Sequence, residues 1–261
     1  MILAVDVGNT ETVLGLFRDV EPLHTWRLST EVRRTPDEHA LLVRGLVDRA
    51  VSPSDGPLKR AVVVCVVPMM DRVWERTCGA LGVPHLVVTP DSPLPIELDV
   101  EDPAGVGADR IVNTLAARHL YGRDTVVVDL GTATTFDCIT AKGEFLGGVI
   151  APGPRAGLER LTHATSRLPE VEIGVPDRVV GRRTEACLNS GIFYSIVDGI
   201  DGIVRRILAE WRPEDPLVVA TGGLVDVIAP HCETVDRVEP HLTLRGIALA
   251  ERHLTEGVGS R

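Results

Sequence analysis

Aliphatic residues in this chain are gathered into short unbroken runs, each closed by a glycine, proline or polar pair, which is the pattern of strands buried on both faces. Leu3–Val7 predicts a strand, Gly8-Asn9 a turn, Thr12–Phe17 a second strand and Trp26–Ser29 a third. A helix is predicted over Pro36–Ala50, with Pro in its first turn and Asp37 and Glu38 at its positive end. After a Ser/Pro/Gly loop (Ser52–Pro57) come a buried strand at Ala61–Val67, a helix at Met69–Leu81 and a strand at Pro84–Val88. The second half repeats the opening: strands at Thr125–Leu130, Thr134–Thr140 and Glu144–Ile150, then Pro152-Gly153 and a helix. A long helical pattern covers Thr184–Trp211, with Gly199 and Gly202 as candidate breaks, and its Ile192, Ile196, Ile200 and Ile203 fall on one stripe that is either a dimer face or intramolecular core. Leu217–Ala220 predicts a strand, Leu244–Leu254 the last helix, and the polar stretch Thr255–Arg261 a frayed tail.

The repeat extends to individual residues. Val5-Asp6-Val7-Gly8-Asn9-Thr10-Glu11-Thr12 and Val128-Asp129-Leu130-Gly131-Thr132-Ala133-Thr134-Thr135 both run apolar-Asp-apolar-Gly-polar at the end of a β-branched strand. They lie about half the chain apart. A duplicated β-β-β lobe with an acid at each first strand end implies two pseudo-symmetric halves with a cleft between them. The proline-rich, acidic stretch Pro90–Pro103 is taken as their connection, giving lobes at 1–105 and 106–261.

Composition narrows the function. The 261 residues are 44% hydrophobic but only 3% aromatic, so the core must be Val, Leu, Ile and Ala. A net charge of −10 argues against a nucleic-acid or anionic-membrane surface, and an anionic ligand would need local positive charge or a metal. No segment approaches the roughly 18 apolar residues of a membrane span, and Met1–Asp6 carries no basic leader, so the expected location is cytoplasmic. Cys65, Cys78, Cys138, Cys187 and Cys232 form no C-x-x-C pair and are expected to be reduced thiols. The eight histidines show no ligand spacing.

A strand that turns back on Gly-Asn-Thr or Gly-Thr offers backbone N–H groups and hydroxyls to a phosphate chain, and glycine lets the oxygens approach closely. The Asp before each turn, Asp6 or Asp129, can hold a cation. Phosphoryl transfer asks the protein chiefly for positioning and charge neutralisation, which two such corners supply. Two bare carboxylates facing one triphosphate would repel it, so each needs a cation. Thr221-Gly222-Gly223 would let an adenosine lie against backbone, or is a tight turn. Gly107-Ala108-Asp109-Arg110 opens a helix at Ile111–Leu120; Asp109 is either its cap or the acceptor of a substrate hydroxyl proton, and Arg110 either a solvated residue or a carboxylate partner. Gly147-Gly148 suits close packing, and Thr184 caps a helix or meets ligand.

Taken in order, Asp6–Thr10, Val66-Val67-Pro68, Gly107–Arg110, Asp129–Asp137, Gly147-Gly148 with Pro152-Gly153, Thr184 with Ser190-Gly191, and Thr221-Gly222-Gly223 resemble the type III pantothenate kinases of bacteria from end to end. The resemblance implies an α/β fold of the actin and sugar-kinase type: duplicated ribonuclease-H-like lobes with mixed sheets and an inter-lobe cleft. It implies a homodimer that uses ATP, Mg²⁺ and a monovalent cation, potassium or ammonium, to phosphorylate pantothenate to 4′-phosphopantothenate, the first step of coenzyme A synthesis. By position, Asp6, Val7, Gly8, Asn9, Thr10, Glu11, Thr12, Val13 and Thr132 would bind ATP, with Asp6 holding Mg²⁺ through water. Gly107, Ala108, Asp109, Arg110 and Thr184 would bind pantothenate, with Asp109 as proton acceptor and Asp129 holding the monovalent cation. Two positions depart: Val100 stands where many members carry a substrate-contacting Tyr, and Cys65 where Ser is frequent. A regulator that keeps the ATP pocket has no reason to keep Asp109 and Arg110. A sugar kinase would want several polar side chains where this segment offers one Asp and one Arg.

Overall fold

The computed structural model describes residues 1–52, 55–164, 168–169 and 171–256; Pro53 and Ser54 of the predicted loop and residues 257–261 of the predicted tail lie outside the described residues. The chain divides into two units, Met1–His119 with His241–Arg261, and Leu120–Pro240. In chain order the strands are β1 (Ile2–Val7), β2 (Glu11–Arg18), β3 (Glu21–Ser29), β4 (Arg60–Cys65), β5 (His85–Val87), β6 (Glu97–Leu98), β7 (Thr125–Leu130), β8 (Ala133–Ile139), β9 (Glu144–Pro152), β10 (Leu217–Gly222) and β11 (Arg237–Val238). The helices are α1 (Pro36–Ala50), α2 (Asp71–Leu81), α3 (Ala108–Tyr121), α4 (Pro154–Ala164), α5 (Thr184–Trp211), α6 (Val225–Ile228) and α7 (Leu242–Glu256).

The two units repeat one topology. In the first the strand order is β3-β2-β1-β4-β5, and in the second β9-β8-β7-β10-β11. β1 pairs antiparallel with β2 and parallel with β4. β7 likewise pairs antiparallel with β8 and parallel with β10. Asp6 and Asp129 are each the last residue but one of the central strand. The expected α/β class with mixed sheets is what is observed.

The first unit is packed from both sides of its sheet. Leu3, Val5 and Val7 share a cluster with Leu14, Val43 of α1, and Met70, Trp74 and Cys78 at α2. On the other face Gly15, opposite Ala4, leaves room for α7: a Cβ there would lie 3.0 Å from Leu244 Cδ1. At Gly246 the contact with α3 is made by backbone, since a Cβ would lie 2.0 Å from the Val112 carbonyl oxygen. α1 begins where the sequence predicts, because Thr35 and Glu38 cap each other reciprocally; Thr35 N–H donates to the Glu38 carboxylate at 2.7 Å. α2 is preceded by a 3-10 turn at Pro68–Met70 and stopped by Gly82 at φ 74°.

Three expectations are adjusted. β3 starts at Glu21 rather than Trp26; its first residues are half-exposed or exposed edge positions with no apolar signature. α5 runs unbroken through Gly199 and Gly202, because Phe193, Val197, Ile200 and Val204 fasten its length to the second unit's sheet. That buried stripe differs from the predicted Ile192-Ile196-Ile200-Ile203: only Ile200 is in it, and the others are half-buried on its flank.

His39 of α1 and Trp74 of α2 are both fully buried, with ring centroids 5.3 Å apart. Neither imidazole nitrogen, nor the indole N–H, has a hydrogen-bond partner among the described residues. Burial holds the His39 pKa below its ordinary 6.5, helped by Arg34 and opposed by Glu38. The unfolded chain therefore takes this proton more readily than the folded one. Stability is full above the unfolded pKa and falls as pH drops through it. Chemical denaturation at a series of pH values should show a loss between about pH 7 and pH 5 that His39→Leu flattens; an unchanged slope in the variant would assign the acid sensitivity to other groups.

Candidate active site

In the first unit the chain turns at the C-terminal end of β1. Gly8 N–H donates to the Glu11 carbonyl at 3.0 Å, and a Cβ on Gly8 would lie 2.9 Å from that same oxygen. The residues of this corner divide by exposure. Val7 and Thr12 are fully buried, so only their backbone can face a ligand, whereas Asn9 and Thr10 are exposed and Asp6 and Val13 half-buried. Glu11 is engaged by Arg27 at 3.0 Å, which offsets an acid that would otherwise repel phosphate.

The corner is tied to the end of the neighbouring parallel strand. Val66 N–H donates to the Val7 carbonyl at 3.0 Å. One residue before it, the Cys65 thiol donates to the Val67 carbonyl at 3.2 Å, and burial, foremost, pushes its pKa up to about 12. Cys65 stays protonated and can make the bond that a serine hydroxyl would make here. Val66 in turn borders the start of α3: its Cγ1 lies 3.8 Å from where a Gly107 Cβ would be.

At that helix start, Ile111 N–H donates to the Gly107 carbonyl at 3.2 Å. Asp109 bends back over Gly107. Its Oδ1 accepts from Arg110 N–H at 2.8 Å and occupies space that a Gly107 Cβ would enter, 2.5 Å away. Burial raises the Asp109 pKa above the usual carboxylate range, against the lowering effects of the Arg110 N–H bond and the Arg110 charge. The Arg110 side chain is half-buried, with its Nη2 inside. Val66 is thus the link between two segments some 100 residues apart in sequence: it is bonded to Val7, the last residue of β1, and it borders Gly107, which opens the segment that carries Asp109 and Arg110. Ligands of open α/β sheets bind at such strand ends.

The second unit builds its corner differently. Asp129 of β7 stands opposite Thr135 of β8 and Thr221 of β10. Gly222, at φ 102°, has no Cβ to strike the Asp129 Oδ1, which would be 2.7 Å away, or the Leu130 nitrogen at 2.6 Å. Gly223 N–H donates to the Leu130 carbonyl at 3.2 Å. The turn carbonyls of Gly131 and Thr132 press on Gly153, whose Cβ would lie 2.4 Å and 2.2 Å from them. The half-buried Asp129 carboxylate therefore stands at the foot of an exposed turn, Gly131-Thr132, whose two carbonyls are turned onto Gly153. The sequence motifs contain these glycines, but no pattern says that Gly222 and Gly153 are what admit Asp129 and the turn. Thr184, the first residue of α5, is exposed. Beyond it Ser190 is buried, donating to the Val179 carbonyl at 2.7 Å, beside a groove of about 460 Å³ that Tyr194 and Asp198 also line. Among the described residues no three His, Cys, Asp or Glu side chains converge as a metal site, and no helix is long and apolar enough to cross a membrane.

A family model described as type III pantothenate kinase matches residues 2–206. A protein of Halalkalibacterium halodurans named Type III pantothenate kinase is 44% identical over 253 residues, covering 95% of this chain and 98% of its own. Same-named proteins of Thermobifida fusca and Streptomyces coelicolor are 43% and 40% identical, covering 95% and 98% of this chain and 98% and 99% of theirs. Among solved structures, the ROK hexokinase of Thermus thermophilus has a TM-score of 0.52 at 13% identity, over 98% of this chain and 99% of that one. The activator of the 2-hydroxyisocaproyl-CoA dehydratase from Clostridium difficile with bound ADPNP has 0.52 at 12%, over 100% and 97%. These two likenesses are of fold alone: the chain shares the α/β architecture of both proteins.

Gly107→Ala should leave the fold intact but drive the Asp109 carboxylate off the Arg110 N–H. The Asp109 pKa, followed by carbon NMR of the side-chain carboxyl, should then rise further, because the lost hydrogen bond favoured the ionised form. An unchanged titration would mean that the carboxylate keeps its seat despite the added methyl.

Proposed function

This chain belongs to the type III pantothenate kinase family, and on that premise we propose that it transfers the γ-phosphoryl group of ATP to the terminal hydroxyl of pantothenate, opening coenzyme A synthesis. The observation that carries the reading is Val66, which is bonded to Val7 at the end of β1 and also borders Gly107, over which the Asp109 carboxylate folds. One strand end there offers a turn for phosphate beside a helix start with a base and a guanidinium.

In this reading residues 6–13 and Thr132 contact the phosphates of ATP, Val7 and Thr12 through their backbone alone. Gly107, Ala108, Arg110 and Thr184 contact pantothenate, with Arg110 pairing its carboxylate. Asp109 orients the acceptor hydroxyl and takes its proton as the oxygen attacks the γ-phosphorus; the bond to the β,γ-bridging oxygen breaks, and ADP leaves. An ordinary aspartate is a weak base for an alcohol. Two features help: burial lifts the Asp109 pKa, and in a loose transition state the proton leaves late, so orientation matters more than basicity. Mg²⁺ held through water by Asp6 would neutralise charge building on the phosphates. A monovalent cation would be held by the Asp129 carboxylate beside the exposed Gly131-Thr132 turn. We further propose a cytoplasmic homodimer.

The direct test couples ADP release to a spectroscopic signal and compares pantothenate with a panel of sugars. Turnover with pantothenate alone is the expected result; preference for a sugar would sink the assignment. In the same assay Asp109→Asn should cost roughly 10²–10⁴-fold in turnover. Its stability at pH 7 should not fall, because the raised pKa means that folding disfavours the ionised carboxylate that the variant removes. A lower melting temperature with nearly normal turnover would make Asp109 a helix cap only.

The cation assignment has its own measurement. At constant ionic strength and saturating Mg-ATP, the rate should rise steeply when K⁺ or NH₄⁺ replaces Na⁺. Asp129→Ala should abolish that response together with most activity. Equal rates in all three salts would remove the monovalent cation from Asp129.

A further inference from the structure

Thr30, the residue after β3, belongs to none of the sequence motifs, yet it makes three hydrogen bonds to the first corner. Its backbone N–H donates to the Thr10 carbonyl at 2.9 Å. Its hydroxyl donates to the Gly8 carbonyl at 2.7 Å and lies 2.9 Å from the Thr12 hydroxyl. A proton count fixes the direction of the last bond. A carbonyl only accepts, so the single hydroxyl proton of Thr30 is committed to Gly8; Thr12 must therefore donate to Thr30. Thr12 is fully buried, and its one proton is spent inside the protein.

The consequence for the corner follows from peptide planarity. No peptide bond here is cis, so the Asn9 N–H lies in the same plane as the Gly8 carbonyl and points the opposite way. Pinning that carbonyl to the Thr30 hydroxyl aims the Asn9 N–H away from Thr30. The Thr10 carbonyl is pinned by the same residue, so both sides of exposed Asn9 are held.

We propose that Thr30 is the positioning residue that sets the Gly8–Thr10 corner for phosphate binding, and that the Thr12 hydroxyl acts through Thr30 rather than on the nucleotide. This rests on the reading of residues 6–13 as the phosphate seat of ATP.

Steady-state kinetics on the full-length enzyme test it, with ATP varied at saturating pantothenate and the reverse. Thr30→Val keeps the shape and the bond to Thr10 but leaves the Gly8 carbonyl without its donor. Its KM for ATP should rise roughly tenfold, the scale of one buried hydrogen bond lost with its acceptor unsatisfied, while KM for pantothenate stays within about twofold. Thr30→Ser should restore most of the ATP affinity. Thr12→Val added to Thr30→Val should cost nothing more, because the hydroxyl it donates to is already gone. If Thr30→Val fails to fold, Thr30→Cys, with a weaker donor, should show the same selective rise in smaller measure. An unchanged KM for ATP in a folded Thr30 variant, or independent losses in the double variant, overturns the proposal. Asp6→Asn separates the two layers: if it weakens ATP while Thr30→Val does not, the Thr30 assignment fails and the phosphate seat stands. If neither moves KM for ATP, the seat itself is wrong and the proposal falls with it.

Discussion

Two strands buried on both faces, and paired differently on their two edges, govern the rest of this protein. β1 and β7 each have an antiparallel hairpin partner on one side and a parallel neighbour on the other. The hairpin edge forces the chain to reverse at once. The parallel edge forbids it, because the neighbouring strand runs the same way and must continue into a connection of its own. At the carboxyl end of each central strand, a tight turn therefore stands beside a departing loop. Phosphate-handling chemistry needs backbone groups, an acid and close approach in one place, and this junction gathers them without help from any long-range motif. The strand interiors are saturated with Leu, Val and Ala, so in both central strands the acid stands at that end, Asp6 in β1 and Asp129 in β7.

Glycine then decides what the junction can hold. At Gly107 and Gly222 the missing Cβ is occupied by a carboxylate oxygen, of Asp109 in one case and of Asp129 in the other. Both acids are thereby pressed against backbone instead of reaching into water. For Asp109 the outcome is a raised pKa despite an adjacent arginine. Desolvation exceeds the attraction of the guanidinium, as expected where a short side chain folds back onto its own helix start. A carboxylate so held gives up stability for a proton affinity nearer that of its task.

Much of this was legible beforehand. The helix at Pro36–Ala50 was readable because its cap, proline and first-turn acids are local signals, and the duplicated Asp-x-Gly corners because each ends a run of apolar residues. What escaped was what depends on tertiary partners. The start of β3 was missed because Glu21–Thr25 is an edge segment with no buried alternation. The continuity of α5 was missed because its glycines are carried by Val197, Ile200 and Val204 packing on the sheet. Cys65 looked like a departure from a serine, whereas its thiol makes a hydrogen bond of the kind a hydroxyl would make. Thr30 gave no signal at all, since Gly8 lies in the β1–β2 turn and Thr12 on the neighbouring strand β2, and no periodicity encodes which hydroxyl reaches which carbonyl.

The two corners share a topology but are made rigid by different means, and the difference bears on how each can change. The first is held by hydroxyl and amide donors of Thr30 on carbonyls of the turn. The second turn is one residue tighter, with Gly131 N–H bonded to Ala133 where Gly8 bonds to Glu11, and it is held by backbone pressed on Gly153 and Gly222. A hydrogen bond can be weakened by exchanging one atom of one side chain, so the first corner can be tuned in small steps. Backbone contact closer than a methyl group allows is all or nothing: any side chain at Gly153 or Gly222 displaces a turn or an acid. Duplication thus left one corner adjustable and one fixed. The fixed one carries the acid proposed to hold the cation, and a carboxylate that must match one ion's radius is best kept from drifting.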